Sequence, residues 1–258
     1  MPQTKIVFFD IDGTLIDMQA KKITPKMLET LHRLQDRGIK ICIATGRSPM
    51  VLPKIDGVAF DAYLTFNGSL CYDRKGIIFS NPIPHKDVVR FIQNAAALGR
   101  PVCVSTRDRL AANGADTDLT DYFAIANEDV PIVDNFDAMC EEDIYQLMLG
   151  CRPKDYPALL DGAPGAKIAA WWDRAVDVIP AGGGKGIGIE KTLAYYGLDK
   201  AEALAFGDGN NDREMLQAVG TGVAMENGSP ELKALADEIC GPVYEDGIYH
   251  YCTSKGLI

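Results

Sequence analysis

The sequence contains few of the residues that build disulfide frameworks or zinc sites. It has three histidines, and its seven cysteines form no C-x-x-C pair. An odd number of scattered cysteines is typical of reduced thiols inside a cell. No uninterrupted apolar run approaches the roughly 18 residues of a membrane span, and residues 1–5 contain no secretory core. We therefore expect a cytoplasmic protein without membrane contacts.

Positive charge is also scarce. The chain has 26 Lys and Arg residues against 36 Asp and Glu residues, so its formal net charge is −10. Such a surface repels nucleic acid phosphates, so a nucleic-acid partner is not expected. A phosphorylated small molecule remains compatible with this charge, because a few local cations and a bound metal decide that contact. The 258 residues, 47% of them hydrophobic, are enough for one large or two modest globular domains.

Short apolar strands alternate with amphipathic helices at both ends of the chain. Residues 5–10 and 39–44 are predicted strands, and between them Thr24-Pro25 opens a helix that Gly38 ends. The same alternation returns after Gly182. This rhythm predicts an α/β fold with a Rossmann-like, doubly wound parallel sheet.

The pattern changes from about Pro84 to Pro180, where mixed short strands and helices replace the alternation. We interpret 84–180 as an inserted α+β domain, and 1–83 together with 181–258 as the core. Residues 108–140, rich in Asp, Asn, Ala and Thr, receive no firm assignment.

Two polar motifs follow the first two buried strands. Asp10-Ile11-Asp12-Gly13-Thr14 places two carboxylates two residues apart, with a glycine that allows a sharp turn. Thr45-Gly46-Arg47 offers a hydroxyl and exposed backbone N–H groups. In an open parallel sheet, ligands bind beyond the carboxyl ends of the strands, so both motifs are expected in one crevice. Taken alone, the first motif is also compatible with an ordinary turn, and the second is better explained by a plain turn between a strand and a helix.

Two further motifs lie near the C-terminal end. Gly182-Gly183-Gly184-Lys185-Gly186 delivers a lysine at a helix start, but its spacing differs from a nucleotide-binding P-loop. Residues 206–212, which include Asp208, Asn211 and Asp212, combine carboxylates and amides of the kind that suit Mg²⁺. Together the four motifs supply a nucleophile, an acid, a hydroxyl, a cation and metal ligands. This set is typical of phosphoryl transfer.

D-x-D-G-T after the first strand, a T-G-R segment, a helix-leading lysine and G-D-G-x-N-D resemble the haloacid dehalogenase-like (HAD) superfamily of phosphohydrolases. The large insert, preceded by Asn67-Gly68, is similar to the Cof-like branch of sugar-phosphatase type. The resemblance covers nearly the whole chain in the right order. It implies a Mg²⁺-dependent phosphatase that acts on a small phosphorylated metabolite, with a sugar phosphate as the expected substrate.

The resemblance also implies roles for particular residues. Asp10 would be the nucleophile that forms an aspartyl phosphate, and Asp12 the general acid and base. Thr45 and Lys185 would hold phosphoryl oxygens. Mg²⁺ would be bound by Asp10, the backbone carbonyl of Asp12 and Asp208, with Asp212 as a ligand or its support. The expected substrate contacts are Gly46, Arg47, Asn67, Gly68 and Asn211.

Other functions stay open at this point. A phosphomutase on the same scaffold would keep both Asp10 and Asp12, and a catalytically idle phosphometabolite-binding protein could use the same crevice. Hydrolytic dehalogenation or phosphonate cleavage is disfavoured, because those relatives usually lack an acid at the position of Asp12. Trp171-Trp172 and the three histidines are interpreted as packing or surface residues, and Cys42 as an inert buried thiol.

Overall fold

The computed structural model describes residues 3–125, 127–170 and 172–258. The chain divides into two compact units. The first comprises Met1–Gly46, Pro53–Ser80 and Gly184–Ile258, and the second comprises Arg47–Leu52 and Asn81–Gly183.

The first unit is built on an eight-stranded sheet, whose strands are β1 (Ile6–Phe9), β2 (Lys40–Ala44), β3 (Ala62–Thr65), β4 (Leu70–Asp73), β5 (Gly76–Ser80), β11 (Ala203–Gly207), β12 (Thr221–Met225) and β13 (Glu238–Cys240). They lie in the order β13-β12-β11-β1-β2-β3-β4-β5. The strands from β13 to β3 pair in parallel, and β4 and β5 add an antiparallel hairpin. The helices of this unit are α1 (Pro25–Asp36), α6 (Lys185–Tyr196), α7 (Arg213–Gln217), α8 (Pro230–Leu235) and α9 (Gly247–Ser254).

Local sequence explains why these elements start where they do. Thr24 caps α1 by accepting a hydrogen bond from the Met27 amide, and Ser229 does the same for α8. Residues 6–9 of β1 are completely buried, as a central parallel strand covered on both faces requires. The motifs that contain Asp10, Thr45 and Asp208 follow three central strands of this sheet, β1, β2 and β11.

The second unit carries an antiparallel five-stranded sheet in the order β7-β6-β8-β10-β9. Its strands are β6 (Cys103–Ser105), β7 (Leu110–Ala112), β8 (Gln146–Gly150), β9 (Ala166–Ala169) and β10 (Ala175–Pro180). Its helices are α2 (His85–Ala97), α3 (Thr117–Ala124), α4 (Phe136–Met139) and α5 (Tyr156–Leu159). One buried cluster joins α2, α4 and α5 to the sheet, and a smaller one joins α3 to β6, β7 and β8.

An ion-pair network ties the second unit together around Asp118 on α3. The Asp118 carboxylate pairs with Arg100, Arg152 and Arg174, at 3.3, 3.0 and 3.2 Å. The hydrogen bond from Arg152 is the main reason that the pKa of Asp118 is lowered.

The predicted α/β class with a parallel core sheet is confirmed, and several boundaries differ in detail. The strands predicted over 5–10 and 39–44 span Ile6–Phe9 and Lys40–Ala44, and the helix that opens at Thr24-Pro25 spans Pro25–Asp36. The unassigned stretch 108–140 contains β7, α3 and α4. Trp171 lies outside the described residues, and the Arg174 guanidinium lies 4.9 Å from the ring centre of Trp172.

All seven cysteines are buried free thiols. Burial raises the pKa of the Cys42 thiol, which keeps it protonated. Among the described residues, no helix has both the length and the apolar character needed to cross a membrane.

Candidate active site

Asp10 directly follows β1, at the carboxyl end of a buried central strand of the parallel sheet. Its backbone N–H donates to the Phe206 carbonyl at 3.0 Å, which continues the pairing between β1 and β11 by one residue. The residue is only 6% exposed. The strand ladder therefore holds a carboxylate at a fixed, nearly dry position.

Lys185 joins two of the predicted carboxylates. Its ammonium donates to Asp10 Oδ1 and to Asp212 Oδ1, each at 2.6 Å, and its side chain is completely buried. Burial alone would lower the pKa of Lys185, but the two carboxylates reverse this and raise the pKa above its ordinary value. Lys185 is therefore the positively charged partner of Asp10 and Asp212.

The pKa of Asp10 is raised. Burial is the main cause, Lys185 opposes it, and the charges of Asp212 and Asp208 add to it. A buried carboxylate beside two others needs cations in order to remain ionised. Lys185 supplies one such charge, and a bound metal would supply more.

Asp212 is completely buried and uses both carboxylate oxygens. Oδ1 accepts from Lys185, and Oδ2 accepts from the backbone N–H groups of Asp208 and Gly209, each at 2.9 Å. Asp212 thus shapes the loop that carries Asp208 and at the same time fixes the lysine.

Asp208 is the third member of the acidic group. Asp10, Asp208 and Asp212 each offer a carboxylate oxygen, and these oxygens all lie within 4.8 Å of one another. Burial, followed by the charge of Asp212, raises the pKa of Asp208 to about 6. Hard oxygen donors gathered at this spacing are suited to a divalent metal ion.

The turn after Asp10 brings the second predicted carboxylate, Asp12, to a half-buried position. Gly13 has φ of +86°, and a Cβ at this position would overlap the Asp208 carboxylate. The Thr14 hydroxyl donates to Asp208 Oδ1 at 2.9 Å. Glycine is needed here for both the turn and the close approach.

A second group of predicted residues meets beside β2 and β3. Thr45 is buried, and its carbonyl accepts from the backbone N–H of Asn67 at 2.9 Å. The Asn211 side-chain amide donates to Asn67 Oδ1 at 3.2 Å, and a Cβ on Gly46 would lie 3.3 Å from the Asn67 amide nitrogen. Asn67 therefore contacts the loop of the second motif through its backbone and the loop of the fourth motif through its side chain.

The turn that carries Asn67 has an unusual backbone. Phe66, Asn67 and Gly68 have φ values of +50°, +52° and +81°. Such values are strained for a bulky residue such as Phe66, and strain of this kind clusters at functional sites. A Cβ on Gly68 would lie 2.6 Å from the Gly184 carbonyl, so this turn packs directly against the start of α6.

Arg47 is placed differently from the other candidates. It belongs to the segment Arg47–Leu52 of the second unit, and its guanidinium donates to the Val51 carbonyl at 2.9 Å. The remaining ten predicted site residues all lie in the first unit.

A family model for haloacid dehalogenase-like hydrolases matches residues 7–252. The chain belongs to this family. It is 35% identical to the putative phosphatase YkrA of Bacillus subtilis over 99% of both chains. The haloacid dehalogenase membership expected from the four motifs is thus confirmed.

Solved structures of phosphatases resemble this family member over nearly its whole length. The phosphatase BT1666 of Bacteroides thetaiotaomicron has a TM-score of 0.93 at 30% identity, covering 99% of this chain and 96% of that one. BT4131, described as a subclass IIB sugar phosphatase, has a TM-score of 0.87 at 28% identity, covering 99% and 100%. The family match and the similarity to these phosphatases show that this chain is a phosphoric monoester hydrolase.

Two residues of this HAD phosphatase contact the site although the sequence motifs assign them no role. Thr14 belongs to the first motif, and its hydroxyl donates to Asp208. Asn227 lies far along the chain, and its side-chain amide donates to the Gly13 carbonyl at 2.8 Å. The D-G-T pattern could have indicated Thr14, whereas nothing local marks Asn227.

Proposed function

We propose that this phosphatase hydrolyses a small phosphorylated metabolite, with a sugar phosphate as the expected class, through an aspartyl phosphate formed on Asp10 and with Mg²⁺ as cofactor. The observation that carries the proposal is the buried group in which Lys185 bridges Asp10 and Asp212 while Asp208 lies alongside. The naming of BT4131 as a sugar phosphatase supports the substrate class.

In the first step, a carboxylate oxygen of Asp10 attacks phosphorus and the bond from phosphorus to the leaving oxygen breaks. Asp12 donates a proton to that leaving oxygen. In the second step, Asp12 takes a proton from water as the water oxygen attacks the same phosphorus. The bond from phosphorus to Asp10 then breaks, which releases phosphate and restores both carboxyl groups.

The charges of the site determine whether this attack can occur. An ionised Asp10 and a phosphate dianion repel each other, and Lys185 offsets part of this repulsion. Asp10, Asp208 and the Asp12 carbonyl would hold Mg²⁺, which neutralises the remaining charge when bound. Since both oxygens of Asp212 already accept hydrogen bonds, we assign it to supporting Lys185 and the Asp208 loop.

Neutral donors complete the proposed phosphoryl site. The Thr45 hydroxyl and the backbone N–H of Gly46 follow β2, while the side chains of Asn67 and Asn211 contact each other. Gly68 allows the tight packing of the Asn67 turn against α6. We keep Arg47 as a proposed substrate contact because it is the cationic residue of the Thr45-Gly46-Arg47 motif.

Phosphate release tests this function. The protein would be assayed on p-nitrophenyl phosphate and on a panel of phosphorylated sugars, with Mg²⁺ and with EDTA, beside Asp10→Asn. We expect Mg²⁺-dependent phosphate release that Asp10→Asn abolishes. Conversion of a sugar phosphate to its isomer without free phosphate would instead indicate a phosphomutase. No turnover on any substrate would contradict the proposal.

A further inference from the structure

The side chain of Asn227 uses both ends of its amide to join two distant parts of the chain. Its Nδ2 donates to the Gly13 carbonyl at 2.8 Å, and its Oδ1 accepts from the Val243 backbone N–H at 2.9 Å. Because one partner is an acceptor and the other a donor, only one orientation of the amide satisfies both. The Val243 contact therefore directs the N–H₂ group towards Gly13.

The carbonyl that Asn227 holds belongs to the peptide between Gly13 and Thr14. The orientation of this peptide sets the position of the Thr14 hydroxyl, which donates to Asp208 Oδ1 at 2.9 Å. Gly13 itself packs against the same carboxylate. A chain of direct contacts thus runs from Asn227 through the Gly13–Thr14 peptide to Asp208.

The loop containing Asn227 also contacts the backbone carbonyl of Asp208. The Ser229 backbone N–H donates to the Asp208 carbonyl at 2.9 Å, and a Cβ on Gly228 would lie 2.9 Å from that same oxygen. Residues 227–229 therefore contact both the turn after β1 and the loop after β11.

We propose that Asn227 is a positioning residue for the metal site. It fixes the Gly13–Thr14 peptide so that Thr14 holds the Asp208 carboxylate ready for Mg²⁺. This inference rests on the proposed function, since it assigns Mg²⁺ to Asp208. Residues that orient metal ligands through hydrogen bonds typically change metal affinity by about 10–100-fold when they are removed.

Magnesium binding measured by calorimetry tests this role without relying on turnover. Wild type, Asn227→Ala, Thr14→Val and the double variant would be titrated with Mg²⁺, with urea unfolding measured in parallel. Asn94→Ala is the matched control, because the Asn94 amide donates to the Leu159 and Asp161 carbonyls in the second unit. If Asn227→Ala does not fold, Asn227→Ser replaces it.

We expect each single variant to weaken Mg²⁺ binding by about tenfold, and the double variant to weaken it no more than the stronger single one, because both act through one contact. Asn94→Ala should bind Mg²⁺ like wild type, whatever stability it loses. Unchanged Mg²⁺ affinity in Asn227→Ala, or losses that multiply in the double variant, would overturn the inference. Failure of the wild type to bind Mg²⁺ would contradict the proposed function as well.

Discussion

Replacing Lys185 with methionine tests the charge balance of the site most sharply. The substitution keeps an unbranched side chain of similar length and removes the only cation that contacts Asp10 and Asp212 in the described part of the chain. Two buried carboxylates, with Asp208 nearby, then lose their partner. Breaking a buried ion pair by removing one partner typically costs 3–5 kcal/mol.

We therefore expect Lys185→Met to lower the free energy of unfolding by about 3–5 kcal/mol in EDTA at neutral pH. The assay is urea unfolding followed by circular dichroism. Added Mg²⁺ should restore part of the loss, because it supplies positive charge to the same carboxylates. The double variant Asp10→Asn/Lys185→Met should lie closer to wild type than Lys185→Met does, since one buried charge is gone.

Lys167→Met is the matched control. The Lys167 ammonium donates to the Gly183 carbonyl at 2.6 Å, which is a single hydrogen bond to a neutral acceptor. Because the donor is charged, its loss should cost about 1.5–3 kcal/mol, less than the loss at Lys185. Equal unfolding free energies for Lys185→Met and Lys167→Met, or no rescue by Asp10→Asn, would refute the reasoning.

Three further predictions concern the metal, the second unit and the predicted domain boundary. Asp208→Ala removes a hard ligand, so turnover in Mg²⁺ should fall by orders of magnitude while circular dichroism is unchanged; full activity would contradict the metal assignment. Asp118→Asn should reduce stability by about 1–3 kcal/mol at pH 7. Because its folded pKa is lowered, this contribution is present above pH about 4 and is lost as pH falls through the folded pKa; a loss in urea unfolding that persists at acid pH would count against it. Limited proteolysis should cut first at 82–84 and 180–184, and first cuts elsewhere would disprove that boundary.

The proximity of Asp10 and Asp208 was predictable because both residues follow strands of the parallel sheet. A buried β-rich run that ends in Asp10 identifies both the strand and its carboxyl end. The loops that follow parallel strands all lie at the carboxyl ends of those strands. The loop with Asp208 is therefore expected beside Asp10. Lys185 was predictable as the residue that starts a helix after a glycine run.

The hydrogen-bond partners of Asp212 were not predictable from the sequence. Metal ligand and hydrogen-bond acceptor are equally possible for Asp212 in the sequence, since carboxylates serve both. In the structure, Asp212 ends a 3-10 turn over Asn210–Asp212. One of its carboxylate oxygens accepts from Lys185, and the other accepts from the backbone N–H groups of Asp208 and Gly209. The positive φ of Phe66 also has no sequence indication, because a large aromatic residue normally avoids that region.

The stretch 108–140 was missed for a different reason. Its elements are short, and their apolar residues gain burial from the sheet and the helices beside them rather than from a long periodic face. Leu119 and Phe123 of α3, for example, belong to one buried cluster with Met148 of β8. One local indication was available, since Asp116 caps α3 by accepting from the Leu119 amide.

The central claim is that Asp10 itself takes up the phosphoryl group. Asp12→Ala removes the proposed base of the second step, so the phosphoenzyme should accumulate. Rapid mixing of this variant with p-nitrophenyl phosphate in Mg²⁺ should give a burst of p-nitrophenol close to one per protein molecule. Mass spectrometry after acid quench should find one phosphoryl group on the peptide that contains Asp10, and none in Asp10→Asn/Asp12→Ala. Turnover by Asp12→Ala without burst or phosphorylated peptide would mean that water attacks phosphorus directly, and would contradict the account.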